Sequence, residues 1–215
     1  MFTSASNFTN EVDTLFAYIL ILSLIVLIGI TVAMIYFVIR YSRKRNPVPK
    51  NIEGNLTLEI LWTVIPLVLF LSMFYFGWVG YKDMRAIPAD ALRIKVTARM
   101  WQWSFEYPNG LKTDTLYVPV SKAVRVDLKS VDVNHAFFVP AFRIKKDVYP
   151  NKANDAWFKS DKVGTYDIAC AEYCGLNHSH MYSSVHIMPQ KDFDAWFAEE
   201  SKKAGLEPSL AVVKK

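Results

Sequence analysis

Several features are scarce in this sequence of 215 residues, and each scarcity excludes a class of protein. No Lys or Arg stands before Arg40, and no small-residue cleavage site follows the first apolar run, so a cleaved signal peptide is disfavoured. The net charge is only +5 and includes no long basic run, which argues against nucleic acid as a partner. Internal repeats, low-complexity segments and the Cys-x-x-Cys-His motif that attaches haem are also missing.

Two long apolar runs, residues 15–39 and 60–81, contain no charged side chain. At about 1.5 Å per residue each is long enough to cross a hydrocarbon core of roughly 30 Å. We therefore predict transmembrane helix 1 over residues 15–39 and transmembrane helix 2 over residues 60–81, with an outer N-terminal segment over residues 1–14. The loop over residues 40–59 carries five cations, which places it in the cytoplasm by the positive-inside rule and turns both termini outward.

Beyond the second run, over residues 82–205, short stretches alternate apolar and polar residues, as half-buried strands do. Examples are Leu92, Ile94, Val96 and Ala98, then Val124, Val126 and Leu128, then Val185 and Ile187. Breaks such as Pro108-Asn109-Gly110 separate them. The sequence predicts a membrane α-helical hairpin followed by an all-β, antiparallel sandwich or barrel outside the cytoplasm, with a loose tail over residues 206–215.

Two local patterns refine this domain. The apolar residues stand at even-numbered positions up to Ala98 and at odd-numbered positions afterwards, in the series Trp101, Trp103, Phe105 and Tyr107. A β-bulge near Arg99 or Met100 is the predicted cause of this change. We expect the last three of these aromatic side chains to lie in the core. Near the C-terminus, Phe193, Trp196 and Phe197 follow helical spacing, which predicts a short amphipathic helix on the sandwich or at the membrane surface.

Cys170 and Cys174 are the only cysteines, and the compartment outside a bacterial cytoplasm permits disulfides. A disulfide between them is therefore the simplest interpretation, and it requires Cα atoms within about 7 Å. Neighbouring side chains favour a metal instead. His178 and Met181 follow Cys174 closely, and His135 stands earlier in the chain.

Thiolate, imidazole and thioether ligands together indicate copper more than zinc, which seldom takes methionine. One cysteine, two histidines and an axial methionine would suffice for a mononuclear blue-copper site. The second cysteine favours a binuclear centre, in which both thiolates bridge and each copper has its own histidine.

The quoted residues resemble those of subunit II of the haem-copper cytochrome c oxidases. The resemblance rests on Asp132-Val133-Asn134-His135 and on the run CAEYCGLNHSHM at residues 170–181, and it covers nearly the whole chain. It includes EILWTVIP at residues 59–66 and WQWSFEY at residues 101–107. The family implies a cupredoxin-type β-barrel over residues 82–205 that carries the binuclear copper centre called CuA.

The resemblance also implies a role for individual residues. Cys170 and Cys174 would bridge two copper ions, His135 and His178 would bind one each, and Met181 would be a weak axial ligand. Glu172 would contribute its backbone carbonyl to CuA, and its side chain would reach a magnesium ion shared with subunit I. A solvated carboxylate is the alternative for that side chain.

Two further roles follow from the resemblance. Trp101 matches the tryptophan through which an electron arrives from cytochrome c, and Met100 departs from the glutamine usual before it. Glu59 matches the entrance of a proton pathway, although stabilisation by a helix N-terminus would also explain a carboxylate there.

Asp132 is expected to orient His135 and to help a patch around Trp101 attract a basic cytochrome.

The expected function is that of subunit II in an aa3-type oxidase, which is not a complete enzyme alone. It would take electrons from cytochrome c and pass them to haem in subunit I, which holds the haems and CuB, where oxygen is reduced to water and protons are pumped. The expected surroundings are subunits I and III and the lipid of a bacterial inner membrane, with the CuA domain on the periplasmic side; a mitochondrial inner membrane is the alternative. A quinol oxidase subunit without copper and a tethered copper carrier are the competing functions.

Overall fold

The structure is a computed structural model that describes residues 4–48, 50–51 and 53–210. The chain divides into two compact units. One comprises Glu11–Lys82, and the other comprises Met1–Asn10 together with Asp83–Lys215. The N-terminal residues therefore group with the β domain and not with the helices that follow them.

The first unit contains two antiparallel helices, α1 (Thr9–Arg40) and α2 (Leu56–Arg85), both long and apolar enough to cross a membrane. They contact each other where the Tyr18 hydroxyl lies 2.6 Å from the Ser72 hydroxyl and where Leu15 lies against Gly77. Both helices extend beyond the predicted runs because their polar ends are helical too.

Helix α2 begins before the predicted boundary at residue 60. The Asn55 side-chain oxygen accepts a hydrogen bond from the Leu58 amide at 3.1 Å, which satisfies one of the free N–H groups of the first turn. Glu59, which the sequence placed in the loop before the span, consequently lies in the first turn of α2.

The second unit is a sandwich of two five-stranded sheets among the described residues. Its strands are β1 (Leu92–Arg99), β2 (Gln102–Glu106), β3 (Lys112–Thr113), β4 (Leu116–Pro119), β5 (Ala123–Ser130), β6 (His135–Val139), β7 (Ile144–Val148), β8 (Asn154–Lys159), β9 (Gly164–Cys170) and β10 (Tyr182–Met188). One sheet has the order β3-β2-β1-β5-β8 and the other β4-β10-β9-β6-β7. Two pairs, β1 with β5 and β4 with β10, are parallel, so each sheet is mixed and not purely antiparallel as predicted.

The predicted β-bulge near Arg99 or Met100 is wrong. Strands β1 and β2 are separate and antiparallel, joined by a two-residue turn, and Arg99 pairs with Gln102. In this register the even positions of β1 oppose odd positions of β2, for example Ala98 opposite Trp103. Since opposed residues share one face of a sheet, the change of phase marks the turn itself.

The aromatic residues of β2 and the adjoining Tyr107 lie in the core, as predicted. Trp103, Phe105 and Tyr107 are each at most 3% exposed. The predicted amphipathic helix is confirmed as α3 (Gln190–Lys203), which packs on the sandwich through buried Phe193 and Phe197.

The first residues of the predicted tail are docked and not loose. The Leu206 amide donates to the Ser201 carbonyl at 2.8 Å, and Asn109 donates its side-chain amide to the Glu207 carbonyl at 3.0 Å. Residues 211–215 lie outside the described residues.

Residues before α1 form part of the β domain. The Ala5 amide donates to the Ala141 carbonyl at 3.0 Å, and the Asn7 amide donates to the Lys159 carbonyl at 2.9 Å. Phe8 is 3% exposed and packs edge-on against Trp157 at 4.9 Å between ring centroids. The outer N-terminal segment expected over residues 1–14 thus consists, where described, of a docked stretch and the first turns of α1.

Candidate metal centre

The metal-ligating side chains predicted in the β domain meet at one end of the sandwich. Strand β9 ends at Cys170, β10 begins just after Met181, and the chain between them forms the metal loop, residues 171–181. Strand β6 begins at His135 and pairs with β9. Two hydrogen bonds fasten the loop at its base, from the Cys170 amide to the Met181 carbonyl and from the Ala171 amide to the Ala136 carbonyl.

The donor atoms lie at distances suited to shared metal ions. The Sγ atoms of Cys170 and Cys174 are 3.8 Å apart. His135 Nδ1 lies 3.8 Å from Cys170 Sγ, whereas His178 Nδ1 lies 3.5 Å from Cys174 Sγ. Two donors that bind one ion tetrahedrally at about 2.0–2.3 Å are about 3.3–3.8 Å apart. Each imidazole therefore faces a different thiol, as a centre with two ions requires.

Two further donors complete the cluster. Met181 Sδ lies 3.7 Å from Cys174 Sγ, and the Glu172 carbonyl oxygen lies 3.2 Å from Cys170 Sγ. Each thiol thus has one imidazole and one weaker donor beside it. The Glu172 side chain is exposed, which leaves its carboxylate open to an ion or a partner outside the domain.

The disulfide interpretation of the two cysteines is not supported. Cys170 and Cys174 are free, and their sulfur separation of 3.8 Å is far from the roughly 2.05 Å of an S–S bond. Both thiols are buried, and burial followed by the neighbouring Cys170 charge raises the pKa of Cys174 to about 12. In the metal-free protein the Cys174 thiol keeps its proton, so metal binding must displace it.

Burial differs between the two histidines. His135 is 0% exposed, while His178, in the short 3₁₀ turn His178–His180, is half-buried. Met181 is also 0% exposed. The centre therefore has an inner side at His135 and an outer side at His178, where the loop meets solvent.

Asp132 orients His135, as expected. Its Oδ1 atom lies 2.9 Å from His135 Nε2, which leaves Nδ1 directed at Cys170. The same carboxylate accepts hydrogen bonds from the amides of Met100 and Val133, each at 2.7 Å. Burial opposes ionisation, but the hydrogen bond from His135, followed by those from the two amides and a serine hydroxyl, lowers the pKa of Asp132 to about 2.

Trp101 lies directly on the metal loop and is half-buried. Its indole Nε1–H donates to the Cys174 carbonyl at 3.2 Å. Gly175 has φ +115, and a Cβ atom there would lie 3.3 Å from the indole ring. Glycine at this position lets the loop backbone approach the ring closely.

Some connections were not found by sequence reasoning. The bond between Asp132 and the Met100 amide joins the turn that carries Trp101 to the strand that carries His135. The sequence indicated only the Asp132 end of this hydrogen bond. Glu59 belongs to the helical unit and is not part of the cluster. His180 is exposed beside Ser179, and His186 packs against Tyr117, so neither joins the donor set.

The donor set fits two copper ions. It combines two thiols, two imidazoles, one thioether and one carbonyl, and soft sulfur with imidazole selects copper over harder metals. A mononuclear site of one cysteine, two histidines and one methionine would leave the buried Cys170 thiol without a role.

Comparisons with known proteins agree with this geometry. The family described as cytochrome c oxidase subunit II, periplasmic domain, matches residues 109–188, and the transmembrane domain of the same family matches residues 1–76. The chain is 28% identical to cytochrome c oxidase subunit 2 of Cereibacter sphaeroides, with 91% of this chain and 78% of that protein covered. It is 32% identical to alternative cytochrome c oxidase subunit 2 of Bradyrhizobium diazoefficiens, with 84% and 77% covered.

A solved structure matches the β domain. The periplasmic domain of subunit II of cytochrome oxidase of Bradyrhizobium japonicum is 32% identical, with a TM-score of 0.52. The match covers 54% of this chain and 98% of that one. The family match over residues 109–188 includes the metal loop, which brings the donor atoms together.

Proposed function

Because this chain belongs to the cytochrome c oxidase subunit II family, we propose that it is the electron-receiving subunit of an aa3-type oxidase that pumps protons. Electrons would come from cytochrome c and pass to haem in subunit I, where oxygen is reduced to water. The observation that carries this proposal is the arrangement of two free thiols, each facing its own imidazole.

Two copper ions would be held by Cys170, Cys174, His135, His178 and Met181, with the Glu172 carbonyl as the sixth donor. When bound, the copper pair supplies a one-electron relay. The residues of this chain hold the donors rigidly, because His135 is fully buried and fixed by Asp132, and the metal loop is fastened to two strands. A rigid donor set needs little rearrangement on each transfer.

Trp101 is the proposed point at which the electron arrives. Its indole is partly exposed and is hydrogen-bonded to the carbonyl of Cys174, so it lies between solvent and a residue that would hold copper. A Trp101→Phe variant should keep its copper but accept electrons from cytochrome c much more slowly. Unchanged rates in that variant would remove Trp101 from the proposal.

Copper stoichiometry and electron paramagnetic resonance test the centre directly. Two coppers that share one unpaired electron are expected in the oxidised protein, and Cys170→Ser should abolish that signal. One copper per chain would indicate a mononuclear site. No copper would indicate a structural barrel of the quinol oxidase kind, which the complete donor set disfavours.

The Glu172 carboxylate is proposed to bind a magnesium ion shared with subunit I. It is exposed on the metal loop, and carboxylate oxygens are ligands that Mg²⁺ prefers. Manganese substituted for magnesium in the assembled oxidase should give a paramagnetic signal that Glu172→Gln removes. An unaltered manganese signal in that variant would leave Glu172 as a solvated carboxylate.

Glu59 is proposed to stand at the entrance of a proton pathway into subunit I. It lies exposed in the first turn of α2, after a loop that carries Arg43, Lys44, Arg45 and Lys50. Glu59→Gln should lower turnover and proton uptake together. Full turnover with normal proton uptake would mean that Glu59 only stabilises the helix terminus.

The membrane arrangement is proposed as a hairpin in a bacterial inner membrane, with subunits I and III as neighbours and the β domain on the periplasmic side. Residues 4–8 pack within the β domain, so both lie on the same side of the membrane. The chain must therefore cross the membrane an even number of times between residues 4–8 and the β domain, and α1 and α2 supply two crossings. A mitochondrial inner membrane would require the same arrangement, and protease protection of a tag in the 41–55 loop tests it.

A further inference from the structure

An open groove with mostly polar walls lies on one side of the sandwich. Its volume is about 610 Å³, and residues of β2 and β3 form one wall while residues of β4 and α3 form the other. Gln102, Ser104, Asp114 and Glu200 are among the polar side chains that line it. Because water needs both room and polar partners, a groove of this size and polarity holds water.

Trp103 belongs both to this groove and to the surroundings of the metal centre. It lines the groove, yet it is only 3% exposed. Its ring lies edge-on to the His135 imidazole, with 6.2 Å between the ring centroids, and edge-on to Phe137 at 5.6 Å. Phe137 in turn pairs with Cys170 across strands β6 and β9. Trp103 therefore stands between the groove and the fully buried His135.

Strand geometry explains how one residue meets both environments. Successive side chains of a strand point to opposite faces, and in β2 the buried Trp103 lies between the exposed Gln102 and the half-buried Ser104. Ala98 pairs with Trp103 from the neighbouring strand β1. Since opposed residues share one face, this small side chain leaves room for the indole to reach inward towards His135.

The indole N–H of Trp103 shows that water from the groove does not pass this residue. Nε1 is buried and has no hydrogen-bond partner among the described residues. A buried tryptophan N–H usually finds a partner, and one that water could reach would take water in that role. The indole is thus dry on its inner side although the residue borders an open groove.

We propose that Trp103 is a positioning residue for the copper centre, acting as a barrier that keeps groove water away from His135. The inference rests on the proposed function, since it concerns a ligand of the same centre. Apolar surroundings control solvent access to a metal site and thereby its reduction potential. The oxidised centre carries one more positive charge than the reduced centre, so water beside His135 would stabilise the oxidised form and lower the potential.

The first test uses the full chain in detergent without metal. Hydrogen exchange of the tryptophan indole N–H groups is followed by ¹⁵N nuclear magnetic resonance, with signals assigned from single Trp→Phe variants. The Trp103 N–H should exchange on the order of 100-fold more slowly than that of Trp196, because burial alone protects it. Trp196 is the internal control, since it lines the same groove and is half-buried. Similar exchange rates for the two groups would overturn the inference.

The second test uses variants of the chain in the assembled oxidase, loaded with copper. After transfer to deuterated water, pulsed electron paramagnetic resonance measures the deuterons near the centre, and a redox titration measures its potential. Trp103→Leu should raise the deuterium signal several-fold and lower the potential. Trp103→Phe, which keeps an aromatic ring against His135, should change both much less.

Trp196→Leu is the matched control for the second test. It removes the same side chain from the same groove, but from α3, and should leave the deuterium signal and the potential unchanged. Equal changes in Trp103→Leu and Trp196→Leu would contradict the barrier, as would no change in either. If Trp103→Leu does not assemble, the exchange rates of the metal-free wild-type chain still decide the inference. A missing two-copper signal in the wild type refutes the proposed function and leaves those exchange rates unaffected.

Discussion

The Asp132 carboxylate holds His135 through a hydrogen bond of 2.9 Å to Nε2 and, with its other oxygen, binds the Met100 amide at 2.7 Å. One side chain thereby fixes both a metal ligand and the turn that presents Trp101. Removing it should affect the ligand and the turn together.

Asp132→Ala should reduce copper affinity by about 10–100-fold, because His135 loses the partner that fixes its orientation. Competition with a copper chelator measures the affinity, and electron paramagnetic resonance reports the geometry of the centre. Asp132→Asn, which keeps an acceptor oxygen, should recover part of the loss. Asp127→Asn is a control in a carboxylate that binds Arg93 and Arg125 instead. Equal affinities in all four proteins would contradict the positioning role.

Asp132 should also make stability depend on pH. Its pKa is lowered to about 2 in the folded protein from 3.8, so the ionised form is bound more favourably in the folded state. The resulting stabilisation is fully present above about pH 4 and is lost as pH falls towards 2. Denaturant titrations of the metal-free protein should show this loss in the wild type and a flatter dependence in Asp132→Asn. Parallel curves for the two proteins would count against it.

Copper loading should release protons. Burial and the neighbouring Cys170 charge raise the pKa of Cys174 to about 12, so this thiol is protonated at neutral pH before metal binds. Since the metal takes the thiolate, apparent copper affinity should increase with pH. Calorimetry in buffers of different ionisation enthalpy counts the protons. Cys174→Ser should release fewer, and an affinity independent of pH would mean that the thiolate already exists in the metal-free protein.

Gly175→Ala should displace Trp101. The backbone at Gly175 has φ +115, which residues other than glycine rarely adopt. The new Cβ would also lie 3.3 Å from the indole. We expect a loss of stability of about 1–3 kcal/mol and slower electron transfer from cytochrome c. Gly110→Ala has the same backbone problem at φ +92 but open space around it. If both variants changed indole fluorescence and electron transfer equally, the close contact with Trp101 would not matter.

Phe8→Ala should destabilise the β domain although residue 8 precedes both membrane helices. Phe8 is 3% exposed and packs against Trp157, and a buried Phe→Ala change costs about 3–5 kcal/mol. Thermal unfolding of the full chain in detergent, followed by near-ultraviolet circular dichroism, measures the effect. Val163→Ala, at a side chain that is 57% exposed, should be nearly neutral. Similar midpoints for both variants would show that the N-terminal segment does not support the domain.

Much of the centre was predictable because its chemistry is local. Cys170, Cys174, His178 and Met181 lie within twelve residues, and soft ligands at that spacing indicate copper wherever the loop sits. The helices were equally predictable, since an uncharged run long enough to span a bilayer depends on composition alone. The helix boundaries were less predictable, because polar residues at helix ends do not contribute to an apolar run.

Other features depended on pairing between distant residues. The change of phase before Trp101 suggested a bulge, whereas the register of Arg99 with Gln102 makes it a hairpin turn. A one-residue insertion and a tight turn both shift apolar residues between odd and even positions, so the pattern alone could not separate them. The docked residues 4–8 were missed for a similar reason: their partners, such as Ala141 and Trp157, lie more than 130 residues away.

The sequence by itself determined the kinds of ligand, the family they resemble and the two apolar spans, because these follow from residue type and spacing. Only the tertiary structure decided that each imidazole faces a different thiol and that the thiols are free. It also decided that Asp132 binds both His135 and the Met100 amide. These relationships join segments far apart in the chain, and folding brings them together through strand pairing and burial.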